Sequence, residues 1–407
     1  MQTYAAPSLF RALGNHFEMR LTCDYRSYYN ATTDTWIDFY EIKIQKFQKK
    51  IYPNLGFANL VGYNGDSPGP TFRMTKGREA VVRFVNQNDR EAAIHLHGSY
   101  SRAPFDGWAE DTMKPGEYKD YYYPNHQGSR TLWYHDHAIH ITSVNAYNGQ
   151  AGIYLLTDPA EEERLQLPNG KYEVPLVIQS KQYKKSGDLL TPENERESLF
   201  GDVIHVNGQP WPYLDVEPRK YRFRLLDASI SRAFHLNFVP DTKNAKSIPF
   251  QVIASDAGYF EAPVTTSDMY ISMAERYEII FDFAPYKGQK ITLKNARDVF
   301  KDEDYGATDR VMQFRVGSTV TNTGRNGGAP PSMVDLNIPP PKSTVDRKFK
   351  FERTNGEWRI NGVGFADVKN RILAKPQRGN LELWELENSS GGWSHRKFSI
   401  NSHLQNS

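Results

Sequence analysis

Residues 131–140 read TLWYHDHAIH, and residues 92–100 read AAIHLHGSY. Six of the eleven histidines in the chain, His95, His97, His126, His135, His137 and His140, fall between positions 95 and 140. In an extended strand residues i and i+2 share a face about 7 Å apart. Two H-x-H strands laid side by side would therefore present His95, His97, His135 and His137 to one cavity as metal ligands. Imidazole suits copper, zinc, iron and nickel alike, and a lone H-x-H can chelate one zinc. Residue types alone thus leave open a mononuclear zinc hydrolase built on His95 and His97. His126, His140, His205 and His235 read as ordinary surface or core residues, while His16 and His403 lie in stretches without a pattern.

The elements that must hold these histidines read as strands. Over 407 residues the aromatic content is 13%, with 24 Tyr and 22 Phe, which favours β-structure. Alternating runs occur at 39–52 (FYEIKIQKFQKKIY), 79–86 (EAVVRFVN), 220–227 (KYRFRLLD), 269–283 (MYISMAERYEIIFDF) and 381–386 (LELWEL), separated by turn residues as in NGDSPGP. The first 36 residues show no clear periodicity and are expected to be an atypical leader. A net charge of +2 gives no basic field for nucleic acid, and no stretch approaches the ~20 apolar residues of a membrane helix. The single cysteine, Cys23, excludes an intrachain disulfide and a thiolate zinc cage. The N-terminus lacks a continuous apolar signal core, sequons stand at Asn30 and Asn388, and no compartment follows from the sequence.

A weak repeat organises the chain. A charged lead and alternating strand recur as GREAVVRFVNQNDREAAIHLHG (77–98), EPRKYRFRLLDASISRAFHLNF (217–238) and RGNLELWELENSSGGWSH (378–395), the later two each preceded by an Asn-Gly element, HVNGQPW and RINGVGF. Three copies imply three similar β-sandwiches, expected at 37–160, 161–321 and 344–407, with the Pro/Gly-rich 322–343 as a linker. The third has too few residues for a full sandwich.

HLHG at 95–98 with WYHDHA at 133–138 resembles the paired motifs of the multicopper oxidase family, of the laccase and fungal bilirubin oxidase type. SRAPFDGWAED, YYYPNHQGSRTLWYHDHAIHIT, GDVIHVNGQPWPYLDVEPRKYRFRLLDA and YISMAERYEIIFDF extend the likeness from about residue 39 to His395. The resemblance implies an all-β chain of consecutive cupredoxin-like Greek-key sandwiches, the third incomplete. It implies copper, with His95 on the mononuclear member of a trinuclear cluster, His97, His135 and His137 on the binuclear pair, and His395 on a blue-copper site. Asp106 in FDGW corresponds to an acid that delivers protons to bound oxygen; its residue type before Gly107 equally suits a turn. The implied partners are an aromatic small-molecule substrate, phenolic or pyrrolic, and O2, in pigment or other secondary metabolism. From Arg396 onward the likeness stops, and the family's remaining cluster histidines and electron-transfer cysteine find no counterpart. Either a shifted reading frame or retained intron, or a short chain whose open sandwich is covered by a dimer or partner, accounts for that break. A copper-binding protein without turnover is the competing function.

Overall fold

The alternating runs form strands. The computed structural model describes residues 25–191, 198–299, 306–337, 340, 342–377 and 379–389; Cys23, His16, His395 and His403 lie outside them. The first sandwich comprises β1 (Tyr25–Asn30), β2 (Thr35–Lys49), β3 (Ala58–Tyr63), β4 (Phe72–Thr75), β5 (Glu79–Asn86), β6 (Ile94–His97), β7 (Tyr118–Tyr123), β8 (Arg130–Asp136) and β9 (Ala151–Thr157). One sheet runs β1-β2-β5-β7 with β3 also on β2, and the other runs β4-β9-β8-β6. The period-two pattern fills the space between them: Ile42, Ile44, Val82, Phe84, Ile94, Leu96, Leu132 and Tyr134 pack in one buried cluster.

The second sandwich pairs a seven-stranded with a five-stranded sheet. Its strands are β10 (Glu173–Lys181), β11 (Val203–Val206), β12 (Gln209–Pro210), β13 (Tyr213–Val216), β14 (Lys220–Asp227), β15 (Phe234–Pro240), β16 (Phe250–Ser255), β17 (Gly258–Thr266), β18 (Met269–Ile271), β19 (Arg276–Asp282), β20 (Lys290–Asn295) and β21 (Arg310–Val316). The outward face of β9, with Ala151, Ile153 and Leu155, packs with Val177, Leu226 and Ala228 of this sandwich. The chain divides into two units after Asp335. In the second unit a four-stranded sheet holds β22 (Arg347–Thr354), β23 (Glu357–Ile360), β24 (Val363–Gly364) and β25 (Trp384–Asn388), in the order β24-β23-β22-β25. Two seven-residue helices, α1 (Thr142–Asn148) and α2 (Pro159–Leu165), are the α-helices of the described residues.

The internal repeat has a structural counterpart. The lead strand of each copy, β5, β14 or β25, lies parallel to an earlier strand, β2, β10 or β22. An Asn-Gly turn follows β3, β11 and β23, with positive φ at both residues: Asn64-Gly65, Asn207-Gly208 and Asn361-Gly362. Each asparagine Oδ1 accepts a backbone N–H from that earlier strand, from Lys43 (2.8 Å), Val177 (2.8 Å) and Lys350 (2.7 Å) respectively. The side chain thus replaces a missing ladder partner in all three copies, and the first of them, at Asn64, escaped the sequence comparison.

Four readings from the sequence change. Residues 25–36, taken as part of a leader, form a ribbon in which β1 pairs antiparallel with β2. Aromatic cross-strand contacts, Tyr25 on Tyr40 and Tyr29 on Trp36, hold it in place of a hydrophobic alternation. The run 269–283 is two strands, because Ala274 adopts φ +71° and turns the chain between them. The run 381–386 starts late, at Trp384. The stretch read as a linker is strapped over 322–335 to the second sandwich: the guanidinium of buried Arg219 donates to the carbonyls of Gly324 (2.7 Å) and Arg325 (3.1 Å), and Met333 is buried.

Candidate metal centre

β6 and β8 pair antiparallel with His95 opposite His135 and His97 opposite Trp133. Ile94, Leu96, Leu132 and Tyr134 enter the core, so the alternate residues His95, His97, Trp133 and His135 must point out of the other face. His137 lies one residue beyond β8 and extends the ladder, its N–H donating to the carbonyl of Ala93 at 2.7 Å. All four histidines named from spacing converge. Ring centroids stand 5.3, 5.4 and 5.2 Å from His95 to His97, His135 and His137. One ligand nitrogen from each of His95, His97 and His135 lies within 4.8 Å of the others.

Backbone carbonyls set the tautomers. His95 Nδ1 lies 2.6 Å from the carbonyl of Asp106, and His135 Nδ1 lies 2.8 Å from that of Asp136. A carbonyl only accepts, so both Nδ1 atoms carry the proton and both Nε2 lone pairs are left for a metal. His97 is turned the other way, its Nδ1 3.3 Å from His135 Nε2, which makes Nδ1 its inward ligand atom. His137 Nδ1 is buried and makes no hydrogen bond.

Burial lowers His97 to about 3, helped by the positive charge of Arg276 and the neighbouring rings. Burial likewise drives His135 well below the ordinary histidine value and lowers His137. At neutral pH these rings are uncharged, the form that ligates metal. Neutral nitrogen donors at this spacing fit copper among the imidazole-binding ions.

Asp106 acts here through its backbone. Its carbonyl holds His95, while its half-exposed carboxylate stands with Oδ1 3.5 Å from His95 Nδ1. The next residue, Gly107, has φ +75°, and a Cβ there would fall 2.2 Å from the carbonyl oxygen of Ile94. Only glycine lets the FDGW turn press against β6.

Three supporting residues were not found from the sequence. Asp136 is fully buried, and its two oxygens accept the N–H groups of Ala93 (3.1 Å) and Ala138 (3.0 Å), pinning β6 to the segment that carries His137. Burial pushes its carboxyl up to about 7. A signal existed: the middle residue of H-x-H on a two-sided strand must face the core. Trp133 packs 4.1 Å from the His135 ring. Arg276, from β19, donates from Nε to the carbonyl of Thr131 at 3.1 Å, and its Nη2 occupies the space beside Gly98, where a Cβ would lie 2.6 Å away.

The histidines line an open cleft of about 550 Å³, with Ser229, Ile230 and Met273 of the second sandwich on its other wall. His140, expected to be unremarkable, also lines it, exposed and at φ +65°. The structure keeps His205, His235 and His126 out of the cluster. His205 is buried against the Tyr183 hydroxyl at 3.0 Å, His235 is held by Asp298 at 2.9 Å, and His126 is exposed.

The multicopper oxidase family profile matches residues 47–161. Bilirubin oxidase of Albifimbria verrucaria is 53% identical over 372 residues, covering 90% of this chain. The chain spans 65% of that relative's length. Laccase of Bacillus subtilis is 34% identical over 87% of this chain and 76% of its own. The crystal structure of the McoA multicopper oxidase of Aquifex aeolicus superposes with a TM-score of 0.76 at 25% identity, over 87% of this chain and 79% of that one.

Proposed function

Because this chain belongs to the multicopper oxidase family, we propose that it is built to couple one-electron oxidation of aromatic molecules, phenolic or pyrrolic, to the reduction of O2 to water. The observation that carries this reading is the convergence of four imidazoles, two of them with carbonyl-set tautomers, on one face of the β6–β8 ladder. Copper bound there would supply the one-electron redox chemistry and the site at which oxygen is reduced. His95 and His135 would bind through Nε2 and His97 through Nδ1, with His137 completing the first-sandwich half of a trinuclear cluster. Burial keeps His97, His135 and His137 neutral, so metal need displace no proton from those three rings. The Asp106 carboxylate, beside His95 and open to solvent, is placed to hold and pass protons. Members of the family that act on bilirubin or phenols motivate the substrate class, with oxidative coupling in pigment or secondary metabolism as the setting.

A single cysteine, Cys23, favours a second reading: copper binding without turnover. A blue-copper site needs a thiolate, and beyond the first-sandwich ligands the family resemblance supplies this sequence with only His395, which lies outside the described residues. Oxygen uptake with a phenolic dye separates the two. The 407-residue chain at full copper loading is expected to show negligible uptake, and a chain extended by grafting a relative's blue-copper segment is expected to show robust uptake. Comparable rates in both would overturn the ligand assignment.

A further inference from the structure

Two Asn-x-Ser/Thr tripeptides occur in the sequence, Asn30-Ala31-Thr32 and Asn388-Ser389-Ser390, and the metal centre uses neither. The fold treats them differently. We propose that Asn30 is an N-glycosylation acceptor whose first sugar rests on the ring of Tyr28, and that Asn388 stays unmodified.

Asn30 closes β1 at the tip of the β1–β2 ribbon, and residues 31–34 form the turn. Ala31 and Thr32 are exposed, so the tripeptide is open to a modifying enzyme on its C-terminal side. The N–H of Thr32 donates to Asn30 Oδ1 at 3.0 Å. That bond commits the amide oxygen to the turn, polarises the carboxamide and leaves Nδ2 on its other arm as the reacting atom. Residues i and i+2 of a strand share a face, so Tyr28 stands beside Asn30 on β1. Tyr28 is 53% exposed. The C–H face of a pyranose attached at Asn30 matches the electron-rich face of that ring. Tyr29, on the opposite face, is already engaged by Trp36.

Asn388 is the last residue of β25, in register with Phe351 of β22. The N–H of Ser389 donates to the carbonyl of Phe351 at 2.8 Å, and its hydroxyl to Glu387 at 2.7 Å. The middle of that tripeptide is thereby fixed in an extended ladder, which cannot fold into the turn that Asn30 adopts.

The reaction is a transfer from a lipid-linked oligosaccharide pyrophosphate in the secretory lumen. Nδ2 of Asn30 forms a C–N bond to C1 of the reducing sugar, the C1–O bond to pyrophosphate breaks, and the amide loses one proton to a base of the transferase. Lipid pyrophosphate leaves, with no redox change.

The test directs the full chain, behind an added signal peptide, into the secretory pathway of a yeast. The readings are the mass shift on endoglycosidase treatment and peptide mapping after deglycosylation in heavy-oxygen water. One glycan per chain is expected, at Asn30; Asn30→Gln should remove it and Asn388→Gln leave it. Transfer precedes export, so chain retained in the cell gives the same reading. Tyr28→Ser should lower the thermal midpoint of the glycosylated chain and leave that of the deglycosylated chain unmoved. Absence of sugar at Asn30, sugar at Asn388, or an equal effect of Tyr28→Ser on both forms would overturn the proposal.

Discussion

Arg276→Met tests whether the second sandwich positions the metal ligands of the first. Arg276 is 2% exposed and reaches across the junction, with Nε on the carbonyl of Thr131 (3.1 Å) and Nη1 on that of Ala274 (2.9 Å). Its Nη2 reaches the carbonyl of Asp256 at 3.3 Å, and Nη1 lies 2.9 Å from the Asp256 carboxylate. Methionine keeps much of the volume and loses every donor. Hydrogen bonds from a charged donor contribute about 1.5–3 kcal/mol each. Asp256, with its side chain 50% exposed, regains water, whereas the carbonyl of Thr131, a buried residue near the start of β8, does not. The expected loss is therefore about 1–3 kcal/mol, that of leaving one buried acceptor without its partner. The same group fills the space beside Gly98, the residue after His97, so copper affinity should fall about 10–100-fold, as for other residues that orient ligands. Urea unfolding of metal-free protein at unchanged slope and competitive copper titration measure the two effects. Arg276→Lys, which keeps the charge and loses the planar fork, should fall between. A loss below about 1 kcal/mol together with unchanged copper affinity would refute the argument that the junction orients His97.

Replacing His135 and His137 together with Ala should strip most bound copper from purified protein, read by metal analysis; unchanged content would remove the site assignment. Copper-loaded protein should show no intense band near ~600 nm, since that absorption requires a thiolate ligand, and a blue product would contradict the ligand set. Lys181, buried at the end of β10, has its ammonium pushed down to about 7 by burial and then by Lys49. Between about 7 and its ordinary value of 10.5 the unfolded chain binds more protons than the folded one, so stability should rise with pH across that window. Lys181→Met should abolish the rise, and equal slopes of the urea midpoint against pH in both proteins would refute this.

The amino-acid sequence alone determined the strand character of the chain and the partition of its faces. Alternation with a strand's period of two coincides at 79–86 with β5, whose two faces differ in exposure, and at 220–227 with β14, which is buried on both faces because its alternate Arg222 and Arg224 pair with the buried carboxylates of Glu278 and Glu173. The same rule placed His95 with His97 and His135 with neighbouring His137, since i and i+2 cannot face apart. What the sequence could not supply were the partners across space. Nothing local says that His95 lies opposite His135, that the carbonyl of Asp106 fixes the proton on His95, or that Arg276, well over a hundred residues downstream, packs beside Gly98. Residues 25–36 looked patternless because aromatic contacts between strands hold them, and such pairs become visible only once the register is known. Sheet register and the junction of two sandwiches are long-range properties. They decided which histidine nitrogens face inward and how far the rings are desolvated, and so turned two H-x-H motifs into one candidate metal centre.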